Sequence, residues 1–339
     1  MKNTTLKLIV ISLIPFPFTL NALNNKVIYG EDNRKDYFEM SSEIKTLADS
    51  VVSLWDSANI RFDSSKNKYT LVTQNYGQRL NLCEDEPFRD QPIGAFCSGL
   101  LIADDTIITA GHCINTEAKC SSTYFVFGYA IKDRNNPFTA TTEIPASDVY
   151  KCSKIIKTHI GAEPTEDNPQ GIGLGSDFAI IKLDRKVSNR KPLKINTNQK
   201  LSIGQSMFVI GHPVGLPVKF ADGATVRDPS PNGYFVANLD TYGGNSGSPV
   251  FDMKTKLIEG ILVRGDNDFV QTPMGCTISN RVEDNGGRGE DSTKISALYP
   301  YLSEILTGIK DTGEPKSIQV KTDFDSFDTS KAINFSFDR

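Results

Sequence analysis

From about residue 68 onward the apolar residues of this chain come in short runs, and no other feature limits its fold as strongly. Leu100-Leu101-Ile102, Thr106-Ile107-Ile108-Thr109 and Tyr124-Phe125-Val126-Phe127 are followed by Phe178-Ala179-Ile180-Ile181, Met207-Phe208-Val209-Ile210, Tyr234-Phe235-Val236 and Leu257–Val263. Each run is short, rich in β-branched and aromatic residues, and bounded by Gly, Pro, Asn or Asp. Such a chain buries its apolar surface by pairing many strands, which predicts an all-β barrel or sandwich. A stretch rich in Lys, Arg and Asn, Asp184–Asn198, divides the runs into two halves, and no internal repeat is visible. Two segments depart from the pattern. Met40, Ile44, Leu47, Val51 and Leu54 recur at helical spacing behind a capping Ser41 or Ser42, although Val51–Trp55 reads equally as a strand. Ile295–Gly308 predicts a closing helix.

The N-terminus carries two lysines within Met1–Lys7, then an apolar run, Leu8–Leu20, broken by Pro15 and Pro17, then Ala22. This is the order of a secretory signal, expected over residues 1–22, and the run is too short to span a bilayer as an anchor. Residues 23–80 form an N-terminal segment that includes the helix, residues 81–309 the main domain, and residues 310–339 a polar tail, disordered or adding an edge strand. Export makes the six cysteines legible as disulfide partners: Cys83, Cys97, Cys113, Cys120, Cys152 and Cys276. Their spacing alone leaves the pairing open. None forms the close Cys-x-x-Cys pair of a zinc site. Asp266, Asn267 and Asp268 read as a solvated acidic loop, so neither metal nor cofactor is expected. The net charge of −4 offers no basic field for a nucleic acid.

Three stretches carry chemistry: Thr109-Ala110-Gly111-His112-Cys113, Ser176-Asp177-Phe178, and Asp240 through Val250, which contains Gly243-Gly244-Asn245-Ser246-Gly247-Ser248. Acyl transfer to a serine needs a base near its hydroxyl, and imidazole suits that role near neutral pH. A carboxylate orients the base, and two N–H groups stabilise the oxyanion. Glycines beside Ser246 allow the sharp turn that would offer the Gly244 and Ser246 N–H groups for that purpose. His112 after a strand, Asp177 at a strand start or Ser246 in a glycine-rich loop would each, alone, read as structural. Together and in this order they are specific. His212 reads as structural and His159 as a surface residue.

Over about residues 93–308 these stretches resemble the His, Asp and Ser motifs of the trypsin/chymotrypsin-like serine proteases, closest to the bacterial glutamyl-endopeptidase-like (V8-like) branch. The resemblance implies two antiparallel β-barrels with a C-terminal helix and a site in the cleft between them. It implies His112 as base, Asp177 as orienting acid and Ser246 as nucleophile of an exported, monomeric endopeptidase acting on protein or peptide substrates. It also implies a Cys97–Cys113 disulfide beside His112. Cys120–Cys152 is then expected as a local bridge, leaving Cys83 with Cys276. Val27-Ile28 followed by Asp32-Asn33-Arg34 is similar to the start of mature enzymes of that branch, which implies processing before Val27. Asn245 stands where animal zymogens place the Asp that pairs with a newly freed N-terminus, so that switch is not available here.

On specificity, Asp240 lies where trypsin-like enzymes select Arg or Lys, a preference a pocket carboxylate would give by charge-assisted pairing. Leu262 stands where the glutamate-selective enzymes carry a His, and Val263 where many members have a Ser. Arg264 is expected to pair with Asp240 or to attract an acidic substrate residue. Glutamate or broad preference is the alternative, as is an inactive homologue used for binding. An α/β-hydrolase is disfavoured by the order of the three residues and by the lack of strand–helix alternation.

Overall fold

The computed structural model describes residues 27–162, 165, 167–168 and 173–307, so the signal expected over residues 1–22 and the tail at 310–339 lie outside the described residues. The elements used below are β1 (Ile28–Tyr29), β2 (Arg34–Asp36), α1 (Ser42–Ala48), β3 (Val51–Asp56), β4 (Cys97–Ala103), β5 (Thr106–Thr109), β6 (Thr123–Phe127), β7 (Val149–Ile160) and β8 (Asp177–Leu183). They continue with β9 (Ser206–Gly211), β10 (Lys219–Asp228), β11 (Tyr234–Ala237), β12 (Pro249–Asp252), β13 (Ile258–Arg264), β14 (Phe269–Gln271), β15 (Thr277–Ser279), β16 (Glu290–Lys294) and α2 (Tyr299–Thr307).

Strands β6-β7-β8-β5-β4-β3 close into an antiparallel barrel. The order β9-β12-β13-β16-β11-β10 makes a second barrel, closed by the pairing of β9 with β10, and β2 adds to the outer side of β10. The two barrels explain why the runs are apolar throughout rather than alternating. Ala179 and Ile181 point into the first barrel, with Val52, Leu54, Leu101, Ile107, Phe125 and Phe127. Their neighbours Phe178 and Ile180 point out, into a core shared with Phe208, Ile210, Phe251 and Ile261 of the second barrel. Met207, Val209, Phe235, Val250 and Leu262 fill the second barrel itself. Successive side chains take opposite faces of a strand, and here both faces are buried.

The Ser41 hydroxyl caps α1 by accepting from the Ile44 N–H at 3.3 Å. The helix stops at Ala48, and the β-branched pair Val51-Val52 opens β3. Since β3 pairs with both β4 and β6, the first barrel begins at Val51, inside the segment assigned by sequence to a region before the main domain. The closing helix is α2, preceded by a 3₁₀ turn over Ile295–Leu298. The six cysteines are joined as Cys97–Cys113, Cys120–Cys152 and Cys83–Cys276. Among the described residues no helix is long and apolar enough to cross a membrane.

Candidate active site

His112 lies in the turn Gly111–Cys113 that ends β5, and Asp177 opens the neighbouring strand β8. Strand pairing thus brings together two residues far apart in sequence. The Asp177 carboxylate is buried, accepts from the Gly111 N–H at 2.5 Å and the His112 N–H at 3.1 Å, and meets His112 Nδ1 at 2.6 Å. Burial works against its charge, but the His112 ring and amide and the Arg264 guanidinium outweigh that cost and hold the carboxyl below its usual range. With Nδ1–H donated to the carboxylate, the His112 tautomer leaves Nε2 able to accept a proton.

Ser246 sits in the turn between Asp240 and β12. Its carbonyl accepts from the Ser98 N–H at 2.8 Å and lies 3.8 Å from Cys113 Sγ. Because Cys113 follows His112 directly and is bonded to Cys97, the disulfide ties the histidine turn to β4, whose Ser98 N–H holds the serine turn. The turn itself needs glycine. Gly244 and Gly247 have φ of +83° and +88°, and a Cβ at Gly247 would lie 2.1 Å from the Ser98 carbonyl.

Two inward carbonyls set the direction of two amides. The Gly243 carbonyl accepts from Val214 N at 2.5 Å, and the Asn245 carbonyl accepts from Ser248 N at 2.9 Å. In a trans peptide the N–H points opposite to the C=O, so the Gly244 and Ser246 N–H groups point away from these two contacts. The Ser98 hydroxyl adds a third prop, donating to the Gly244 carbonyl and accepting from the His212 N–H, each at 2.9 Å. Val214 adopts φ of 47°, unusual for a β-branched residue, in the turn that makes the Gly243 contact. Sequence reasoning missed both Ser98 and Val214. Only the adjacency of Ser98 to Cys97 could have pointed to it. His212 is buried, donates from Nδ1 to the Leu216 carbonyl and stacks on Tyr129; burial pushes its pKa down to about 3 and keeps it neutral.

Two expected substrate contacts are corrected. Both Asp240 oxygens accept backbone N–H groups, from Tyr29 at 2.8 Å and Asn33 at 3.0 Å, so this carboxyl anchors the N-terminal segment instead of facing a substrate cation. Arg264 is also buried and does not pair with Asp240. Its Nε donates to Asp291 and its Nη2 to the Gly175 carbonyl. Leu262 is directed into the second barrel core, and Val263 packs with the group around Cys97 and Cys113. The Cys97, His112 and Cys113 side chains cluster, but both sulfurs are oxidised to a disulfide and offer no thiolate to a metal.

Residues 97–260 match the family model described as a trypsin-like peptidase domain. Among curated proteins, the chain is 29% identical over 120 residues to Protease Do-like 5, chloroplastic, of Arabidopsis thaliana, covering 32% of this chain and 37% of that protein. It is 27% identical over 177 residues to the glutamyl endopeptidase of Staphylococcus aureus strain MRSA252, covering 50% of this chain and 43% of the relative. The matched region thus spans less than half the length of either relative. Among solved structures, a Glu endopeptidase in complex with MPD is 18% identical with a TM-score of 0.45, covering 84% of this chain and 100% of that one. The VesB protease of Vibrio cholerae is 14% identical with a TM-score of 0.46, covering 81% and 67%.

Proposed function

This chain carries a trypsin-like peptidase domain of the V8-like branch, and on that premise we propose that it is an exported serine endopeptidase in which Ser246, His112 and Asp177 perform acyl transfer. The observation that carries the proposal is the Asp177–His112 pair at 2.6 Å beside a serine turn whose Gly243 and Asn245 carbonyls are both held by backbone N–H groups. His112 Nε2 takes the Ser246 proton as the oxygen attacks the scissile carbonyl. The imidazolium formed is stabilised by Asp177 and returns the proton to the leaving amine. Water then repeats the sequence on the acyl-enzyme. The Gly244 and Ser246 N–H groups receive the oxyanion in both halves, where losing one such donor typically costs about 10²–10³ in rate. The Gly243, Gly244, Asn245 and Ser246 carbonyls each accept a hydrogen bond, which favours a catalytic turn over that of an inactive binding homologue. Export is supported by the N-terminal signal pattern and by three disulfides.

Specificity follows from where the charges lie. Asp240 is held by backbone amides, so the basic preference loses its expected side chain; Leu262 lies in a core where a His was expected, while similarity to glutamyl endopeptidases keeps glutamate preference as the second reading. The reading is a broad preference at the cleaved position. Profiling the purified protein on a peptide library, with Ser246→Ala as control and a fluorophosphonate probe, tests both points. Labelling and cleavage should be present in the parent, and the control should lose labelling and cut roughly 10⁶-fold more slowly. Activity surviving in the control rejects the nucleophile, and cleavage confined to Glu or to Arg and Lys rejects the broad preference.

A further inference from the structure

Asp177 belongs to the first barrel, but much of what surrounds its backbone comes from the second. The Thr293 hydroxyl of β16 accepts from the Asp177 N–H at 2.9 Å and donates to the Asp177 carbonyl at 2.8 Å. Two residues earlier, the Gly175 carbonyl accepts from Arg264 Nη2 at 2.8 Å. The Gly173 N–H donates to the Tyr234 hydroxyl at 2.8 Å, and the Tyr234 ring lies 5.2 Å from the Arg264 guanidinium. The Arg264 side chain is 4% exposed. It shares the Asp291 carboxylate with Arg288, whose Nη2 donates at 2.7 Å. Two guanidinium groups on one carboxylate leave this buried cluster with a net positive charge beside the approach to Asp177. Val263, the residue before Arg264, has an apolar side chain that packs with the group around Cys97 and Cys113.

We infer that Arg264 is a positioning residue for Asp177: from the second barrel it fixes the Gly173–Ser176 approach to that carboxylate and supplies the fixed positive charge that helps keep it an anion. A fixed charge in a water-poor site interacts strongly and needs no reorganisation during reaction. The consequence is that catalysis depends on the docking of the two barrels through a residue that touches neither substrate nor reacting atoms. The inference rests on the proposed acyl-transfer role of Ser246, His112 and Asp177.

The test is steady-state kinetics on the full chain, with active sites counted by fluorophosphonate titration, for the parent, Arg264→Gln and Arg264→Lys. Asp291 keeps Arg288 in the Gln variant, so the substitution does not strand a buried carboxylate. The Gln variant should lose about 10–100-fold in kcat per titrated site with KM within about threefold of the parent, the mark of an interaction made only in the transition state. The Lys variant, which keeps the charge and loses the fork, should recover most of that loss. Unchanged kcat per site in the Gln variant, equal losses in both, or a loss seen only as fewer titratable sites overturns the inference. Should Arg264→Gln not fold, Arg264→Met, equally uncharged and leaving the Asp291–Arg288 pair intact, is measured against the same criterion. A parent that takes up no probe instead rejects the acyl-transfer reading, and the inference falls with it.

Discussion

Burial holds the Asp240 carboxyl up at about 7, even though the Asn33 and Tyr29 N–H groups donate to it. Between about pH 4 and 7 the folded chain therefore keeps a proton there that the unfolded chain has released. The stability this group contributes is present below pH 4 and is lost as the pH rises through about 7. In Asp240→Asn the position stays neutral. The urea midpoint of the parent should thus fall relative to that of the variant between pH 4 and pH 8; a constant difference would show that Asp240 does not titrate in the fold. The contrast with His112, Asp177 and Ser246 explains what could be read from sequence at this scale. Acyl transfer dictates residue types and their flanking turns, so those three are visible as motifs. The partners of Asp240 and Arg264 are set by contacts 207, 211, 27 and 89 positions away, which no local pattern encodes.

At the scale of elements, strand runs were legible because both faces of the strands are buried, which makes them continuous and unmistakable. The helix boundary was not. Val51 and Leu54 fit the i+3 and i+4 spacing of α1 by coincidence, and they fit a strand equally well. Tertiary pairing decided the matter, since β3 gains partners on both edges in the first barrel. The helix is left with seven residues, short enough that its cap carries weight. Ser41→Ala should lower unfolding free energy by about 1 kcal/mol in urea titrations and leave kcat per titrated site unchanged. A rate effect would mean that α1, which packs in the core shared by the barrels, also controls the site.

On the scale of the whole molecule, residues 27–36 tie distant parts together. Arg34 pairs with Asp32 at 2.6 Å and lies between the rings of Tyr242, at 4.2 Å, and Phe88, at 5.0 Å. Tyr242 belongs to the serine turn and bonds the Ser279 hydroxyl, which in turn donates to Glu86, while Cys83–Cys276 joins the same two regions covalently. One guanidinium thus connects the start of the described chain, the Cys83 loop and the turn that carries Ser246. Cutting this connection has two separable effects. Arg34→Met keeps an apolar stem between the rings but leaves the partly buried Asp32 carboxylate with Arg281, at 3.8 Å, and the N–H of residue 34, at 3.3 Å, and should cost about 3 kcal/mol in thermal or denaturant unfolding. Asp32→Asn/Arg34→Met removes both charges and should regain most of that stability. If the connection also fixes Tyr242, and through it the Gly243 carbonyl that directs the Gly244 N–H, then kcat should stay low in the double variant after stability returns. Recovery of both together would show that the segment stabilises the fold without shaping the site.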